Sequence, residues 1–155
     1  MKVHSYEHSF LAVGAFGLLA CIVALSYATF GMGMHLPDRV AKVEPKSIRT
    51  TAPFDHPGVR KTGPNEYEAV ILAQIWTFSP QEIRVPVGSH VTFTVTSADV
   101  IHGFDIVGTR INMMAIPGQI SRNSYTFREP GEHLLICHEY CGAAHHTMFA
   151  KVIVE

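Results

Sequence analysis

Phe10 to Met34 is a run of 25 residues without a single Asp, Glu, Lys or Arg. As an α-helix rising about 1.5 Å per residue it spans roughly 37 Å, more than the ~30 Å hydrocarbon core of a bilayer. Its glycines, Gly14, Gly17, Gly31 and Gly33, are tolerated in membrane helices and mark places where a neighbouring helix can approach closely. The alternative is a cleaved signal peptide, with Lys2 as its basic region and Ser26-Tyr27-Ala28 as a small-residue cleavage site. The run exceeds the ~7–15 apolar residues of a signal sequence, which favours an anchor. Residues 1–36 are therefore expected to hold one transmembrane helix, at about 10–34.

Charge gives a conflicting orientation. Lys2 alone precedes the span, whereas Arg39, Lys42, Lys46 and Arg49 follow it. Counted simply, the positive-inside rule places the C-terminal part in the cytoplasm, but large domains translocate largely regardless of flanking charge. The chemistry near the C-terminus, described below, favours the outer side.

The rest of the chain changes character twice. Residues 37–65 carry Pro37, Pro45, Pro53, Pro57 and Pro64, many charges and no sustained periodicity, as expected of a surface connector. From residue 66 apolar residues recur with period two. Strands are predicted over 67–75, 82–85, 90–96, 102–107, 124–127, 132–137 and 148–154, with Pro86-Val87-Gly88 and Pro130-Gly131 as turns. Short strands at this density, with no helical pattern between them, predict an antiparallel β-sandwich or barrel. A formal net charge of −1 gives no electrostatic basis for binding nucleic acid.

Chemistry concentrates in Cys137-His-Glu-Tyr-Cys141-Gly-Ala-Ala-His145-His-Thr-Met148. Two thiols, an imidazole and a thioether are soft or borderline ligands, the set that copper prefers and magnesium or calcium does not. One thiolate, two histidines and a weak Met make a mononuclear blue-copper site; a second thiolate can bridge a second copper. Two other readings of the cysteines are a small disulfide, reasonable in an oxidising compartment, and zinc, which seldom uses Met. Cys21 lies in the apolar run and reads as an inert small hydrophobe. The loop is short of nitrogen, and His102, after the polar turn Ser97-Ala98-Asp99, is the candidate from a second segment. His138 and His146 adjoin ligands and are expected to point away. His4, His8, His35, His56, His90 and His133 belong to no cluster.

The run Val100-Ile-His102-Gly-Phe104 together with Cys137 to Met148 resembles the CuA domain of subunit II of heme–copper cytochrome c oxidases. The resemblance covers residues 66–155, and the single preceding helix is most similar to the B-type (ba-type) members. It implies a mainly β fold, a cupredoxin-like Greek-key β-sandwich or barrel preceded by one N-terminal transmembrane α-helix. It also implies two copper ions bridged by Cys137 and Cys141, with one imidazole each from His102 and His145. Met148 would be a weak axial ligand of one copper and the backbone carbonyl of Glu139 of the other. The implied role is electron transfer within a proton-translocating oxidase, with no catalytic residue in this chain. The implied partners are cytochrome c as donor, a heme-bearing subunit I, a small accessory subunit and the lipid bilayer. The implied place is a bacterial or archaeal cell membrane, single-pass, with the domain on the periplasmic or extracellular side. Trp76, the sole tryptophan, becomes a candidate for the point where electrons enter, beside Gln74 where related sequences can carry an aromatic. The alternatives are a nitric-oxide reductase subunit, a copper-delivery protein and a quinol-oxidase subunit without copper; the intact ligand set speaks against the last.

Overall fold

The computed structural model describes residues 4–32 and 38–155, and chain contacts divide it into two compact units, Met1–Leu36 and Pro37–Glu155. In the first unit helix α1 runs over Ser5–Ser26 and continues into a π-helical turn, Tyr27–Gly31. The Glu7 carboxylate accepts the His4 N–H at 2.7 Å, which satisfies a backbone donor that a helix start otherwise leaves open. The helix therefore begins before Phe10: Glu7 and His8 limit the apolar surface, not the helix. At the other end the Met32 N–H reaches the Tyr27 carbonyl at 3.0 Å. Tyr6–Gly31 is 26 residues long and apolar enough to cross a membrane. Lys2, Gly33, Met34 and His35 lie outside the described residues.

The second unit holds eleven strands among its described residues: β1 Asp38–Lys42, β2 Gly58–Gly63, β3 Glu66–Gln74, β4 Thr77–Ser79, β5 Glu82–Val85, β6 His90–Ser97, β7 His102–Ile106, β8 Asn112–Ala115, β9 Gln119–Thr126, β10 Gly131–Ile136 and β11 Phe149–Val154. One sheet has the order β1-β9-β6-β3-β2, with β4 added to β3; the other has the order β5-β11-β10-β7-β8. Two pairings, β3 with β6 and β5 with β11, are parallel, which corrects the purely antiparallel expectation. The reason is topological. The chain leaves β3, crosses to the other sheet as β5 and returns as β6, and such a crossover delivers a parallel neighbour.

Alternation sets the inner face. In β6 Val91, Phe93 and Val95 are fully buried and point between the sheets. Phe104 meets Phe78 edge-on and Phe93 tilted, both at 5.8 Å between ring centroids, a favourable geometry for aromatic quadrupoles. Cys137, Cys141 and Met148 belong to this same buried cluster.

In β3 the run Ala69-Val-Ile-Leu-Ala73 is buried on both faces, as continuous apolar strands are. Its outer face is covered by what the sequence presents as a connector. There Ile48, on a 3₁₀ turn over Pro45–Thr50, and Phe54 pack on Val70 and Leu72. Strands β1 and β2 also fall within 37–65 and pair with β9 and β3. That segment is thus part of the sandwich rather than a free connector. Phe54 is 1% exposed, so Phe54→Ala should destabilise the domain by about 3–5 kcal/mol. Urea unfolding should show the loss as a lower midpoint with an unchanged slope.

Candidate metal centre

Cys137 leaves the end of β10 and Met148 leads into β11, whose first residue, Phe149, pairs with Ile136. The Cys137 N–H donates to the Met148 carbonyl at 3.2 Å, closing the loop between two paired strands. His102 is the first residue of β7 and fully buried. His102, Cys137 and Met148 are therefore held at strand ends at one rim of the sandwich, while Glu139, Cys141 and His145 lie in the loop between β10 and β11, His145 opening a 3₁₀ turn over His145–Thr147.

Their side chains converge. Cys137 Sγ and Cys141 Sγ are 3.8 Å apart, and both thiols are free and buried. His102 Nδ1 lies 4.0 Å from Cys137 Sγ. His145 Nδ1 lies 3.5 Å from Cys141 Sγ, and Met148 Sδ 3.7 Å from the same sulfur. The Glu139 carbonyl oxygen is 3.2 Å from Cys137 Sγ, while its side chain is exposed. The donor atoms of His102, Cys137 and Cys141 all fall within 4.8 Å of one another. A metal–thiolate bond is about 2.3 Å, so one ion can touch both sulfurs. This geometry and donor set fit a soft metal. His138 and His146 are exposed.

The family model for the periplasmic domain of cytochrome c oxidase subunit II matches residues 72–155. This chain belongs to the cytochrome c oxidase subunit II family. A cytochrome c oxidase subunit 2 of Thermus thermophilus is 38% identical over 97% of this chain and 92% of its own. A chain in a cryo-EM structure of a heme-copper terminal oxidase dimer is 38% identical, with a TM-score of 0.80, covering 97% of this chain and 99% of that one. The periplasmic domain of the oxidase subunit II of Bradyrhizobium japonicum shares the fold, at 23% identity and a TM-score of 0.53 over 57% of this chain and 83% of that one. The cupredoxin-like fold and the family imply copper, as CuA, at this rim.

Three further residues shape the subunit II site, and the sequence did not single them out. Asp99, read only as part of a polar turn, lies with Oδ1 2.8 Å from His102 Nε2. It also accepts the N–H groups of Val100 at 2.6 Å and Ile75 at 2.7 Å. Burial works against its charge, but these hydrogen bonds outweigh it and hold the carboxyl below its ordinary pKa. Gly103 allows the loop after β10 to approach β7: a Cβ there would lie 2.6 Å from both the backbone N and the Cγ of His138. Gly142, with φ +123°, faces the Trp76 indole, and a Cβ would lie 3.1 Å from Nε1. The available signal for the first two was proximity to His102 in sequence. For Gly142 the signal was its place inside the ligand loop.

Trp76 is 38% exposed, and its indole N–H donates to the Cys141 carbonyl at 3.2 Å. Tyr140 is 75% exposed and sets its ring edge-on to His145 at 5.9 Å. Burial, reinforced by the neighbouring Cys137 thiol, pushes the Cys141 thiol up to about 11. Without metal it is therefore protonated at neutral pH, and a bound metal must displace that proton. Gly103→Ala should force the His138 backbone away and spread His102 from Cys137. We expect at least a tenfold loss of copper affinity by competition titration, within the roughly 10- to 100-fold range typical of support residues, while circular dichroism keeps its β signature.

Proposed function

We propose that His102, Cys137, Cys141, His145, Met148 and the Glu139 backbone carbonyl hold a dinuclear CuA centre in the electron-transfer subunit of a cytochrome c oxidase. The observation that carries this reading is the pair of unbonded, buried thiols 3.8 Å apart, flanked by an imidazole on each side. Copper bound there would supply a one-electron couple. Cys137, Cys141, His102, His145, Met148 and the Glu139 carbonyl would hold it. Strand ends hold His102, Cys137 and Met148, and a short loop closed between β10 and β11 holds the rest, so little rearrangement accompanies a change of charge.

Electrons arrive from a cytochrome c and leave toward heme in a partner subunit I, where oxygen is reduced to water. Trp76 supports the arrival side, since it reaches from solvent to a ligand's carbonyl through one hydrogen bond. The anchor comprises residues 1–36 and lies in a bacterial or archaeal cell membrane, with the domain on the periplasmic or extracellular side. The family model describes a periplasmic domain, which supports this orientation over the simple charge count. Buried donors drawn from two distant segments favour a permanent centre over copper delivery, which needs exchangeable ligands.

The full chain, purified in detergent and loaded with copper, should bind two ions and show seven hyperfine lines in EPR, from one unpaired electron shared by two equivalent coppers. Cys141→Ser should abolish that pattern. A four-line spectrum, or zinc in place of copper, would refute the reading. In the assembled oxidase, Trp76→Ala should weaken donor docking by about 2 kcal/mol, the scale of an interface anchor, and slow the first electron transfer. Unchanged affinity and rate would remove Trp76 from the route.

A further inference from the structure

We infer that the cavity at the end of the sandwich away from the metal rim binds a small aromatic carboxylate, with Arg128 as its anchor. The cavity measures about 640 Å³, within the roughly 300–1,000 Å³ of small-molecule sites. It is lined by the turn after β7 that carries Arg110, by Tyr125, Phe127, Arg128 and Glu129 at and beyond the end of β9, and by His133 of β10. Strand β7 begins at His102 and β10 runs into Cys137, so these segments meet at the far ends of the strands that carry the metal candidates. The proposal therefore does not rest on copper.

The wall of the cavity includes an aromatic cluster. The His133 ring lies on Phe127 at 5.2 Å, and Tyr125 sets its ring edge-on to Phe127 at 5.0 Å between centroids. Phe127 is buried, while Tyr125 and His133 are half-buried, so those two offer ring surface to an occupant. A flat ring gains by stacking on them or meeting them edge-on. His133 Nδ1 lies 3.2 Å from the Val107 carbonyl oxygen. A carbonyl only accepts, so that nitrogen donates, and the bond holds the ring in place.

Charge then selects an anion. Arg128 is exposed and makes no ion pair among the described residues. A guanidinium presents parallel N–H groups that match the two oxygens of a carboxylate. Arg110 brings a second guanidinium to the same cavity from the turn after β7. Glu129 lines the cavity too, and its negative charge disfavours a phosphate dianion more than a singly charged carboxylate. An exposed ion pair alone contributes little. Ring burial against Tyr125 and His133 supplies the rest, so the ligand needs both its charge and its flat body.

An NMR titration of the full chain in detergent tests this with benzoate. Benzoate should give saturable shifts at Tyr125, Arg128 and His133, equally in the metal-free and the zinc-loaded chain, so a failure of the copper reading leaves this result untouched. Acetate, benzyl alcohol and phenyl phosphate should each bind more weakly, by about tenfold or more. No saturation with benzoate up to its solubility limit would overturn the inference, as would equal binding of acetate or of benzyl alcohol. Phenyl phosphate binding as tightly as benzoate would overturn the choice of a carboxylate. Arg128→Gln, at an exposed position, should keep the β signature in circular dichroism and weaken benzoate by about tenfold or more, the scale of a lost hydrogen bond to a charged group. Arg128→Lys should recover only part of that loss, because it keeps the charge without the fork. Unchanged affinity in a folded Arg128→Gln chain would remove the anchor and with it the proposal.

Discussion

Two sulfur atoms held 3.8 Å apart inside an apolar core are the constraint on which the rest of the molecule depends. Burial denies a thiolate water and the neighbouring sulfur disfavours charge, so the metal-free site favours the protonated Cys141 thiol. Only cations bound between the two sulfurs make the charged state favourable. The loop that carries both sulfurs grows from two paired strands, and the Cys137 N–H on the Met148 carbonyl closes its base.

The hydrophobic core and the metal centre are consequently one object. Phe104, next to Gly103 and two residues from His102, packs between Phe78 and Phe93. A disturbance of the core reaches the site residues through the backbone from Phe104 to His102 and through the packed side chains of Cys137, Cys141 and Met148. Gly103 and Gly142 show how little slack there is, since each marks a place where a second segment comes within contact of the backbone. This closeness holds the donor atoms still, which suits a site that passes electrons and changes charge without changing shape.

What could be read from the sequence follows from range. The convergence of Cys137, Cys141, His145 and Met148 was legible because they lie within twelve consecutive residues, where spacing alone brings them together. Strands β5, β6, β7, β10 and β11 were legible from their short apolar patterns, β3 from its apolar run, and α1 from its uncharged length, though not its first turn. The parallel pairings were not, because alternation reports a strand's faces and says nothing of its neighbour's direction. Residues 37–65 read as a connector because prolines and charges mask two short edge strands, while Ile48 and Phe54 become core only once Val70 and Leu72 lie beneath them. Asp99 looked like turn chemistry, because its partner Ile75 lies 24 residues away and is brought to it only by the fold. Likewise Trp76 gave no local hint of its bond to Cys141, 65 residues away.

The central claim is that Cys137 and Cys141 act together as one bridge between two metal ions. Copper-edge X-ray absorption on the loaded full chain tests it most directly. A bridged pair predicts two sulfur scatterers and one imidazole nitrogen per copper, with a copper–copper shell that disappears in Cys137→Ser. Absence of any metal–metal shell in a chain carrying its full copper complement would contradict the account.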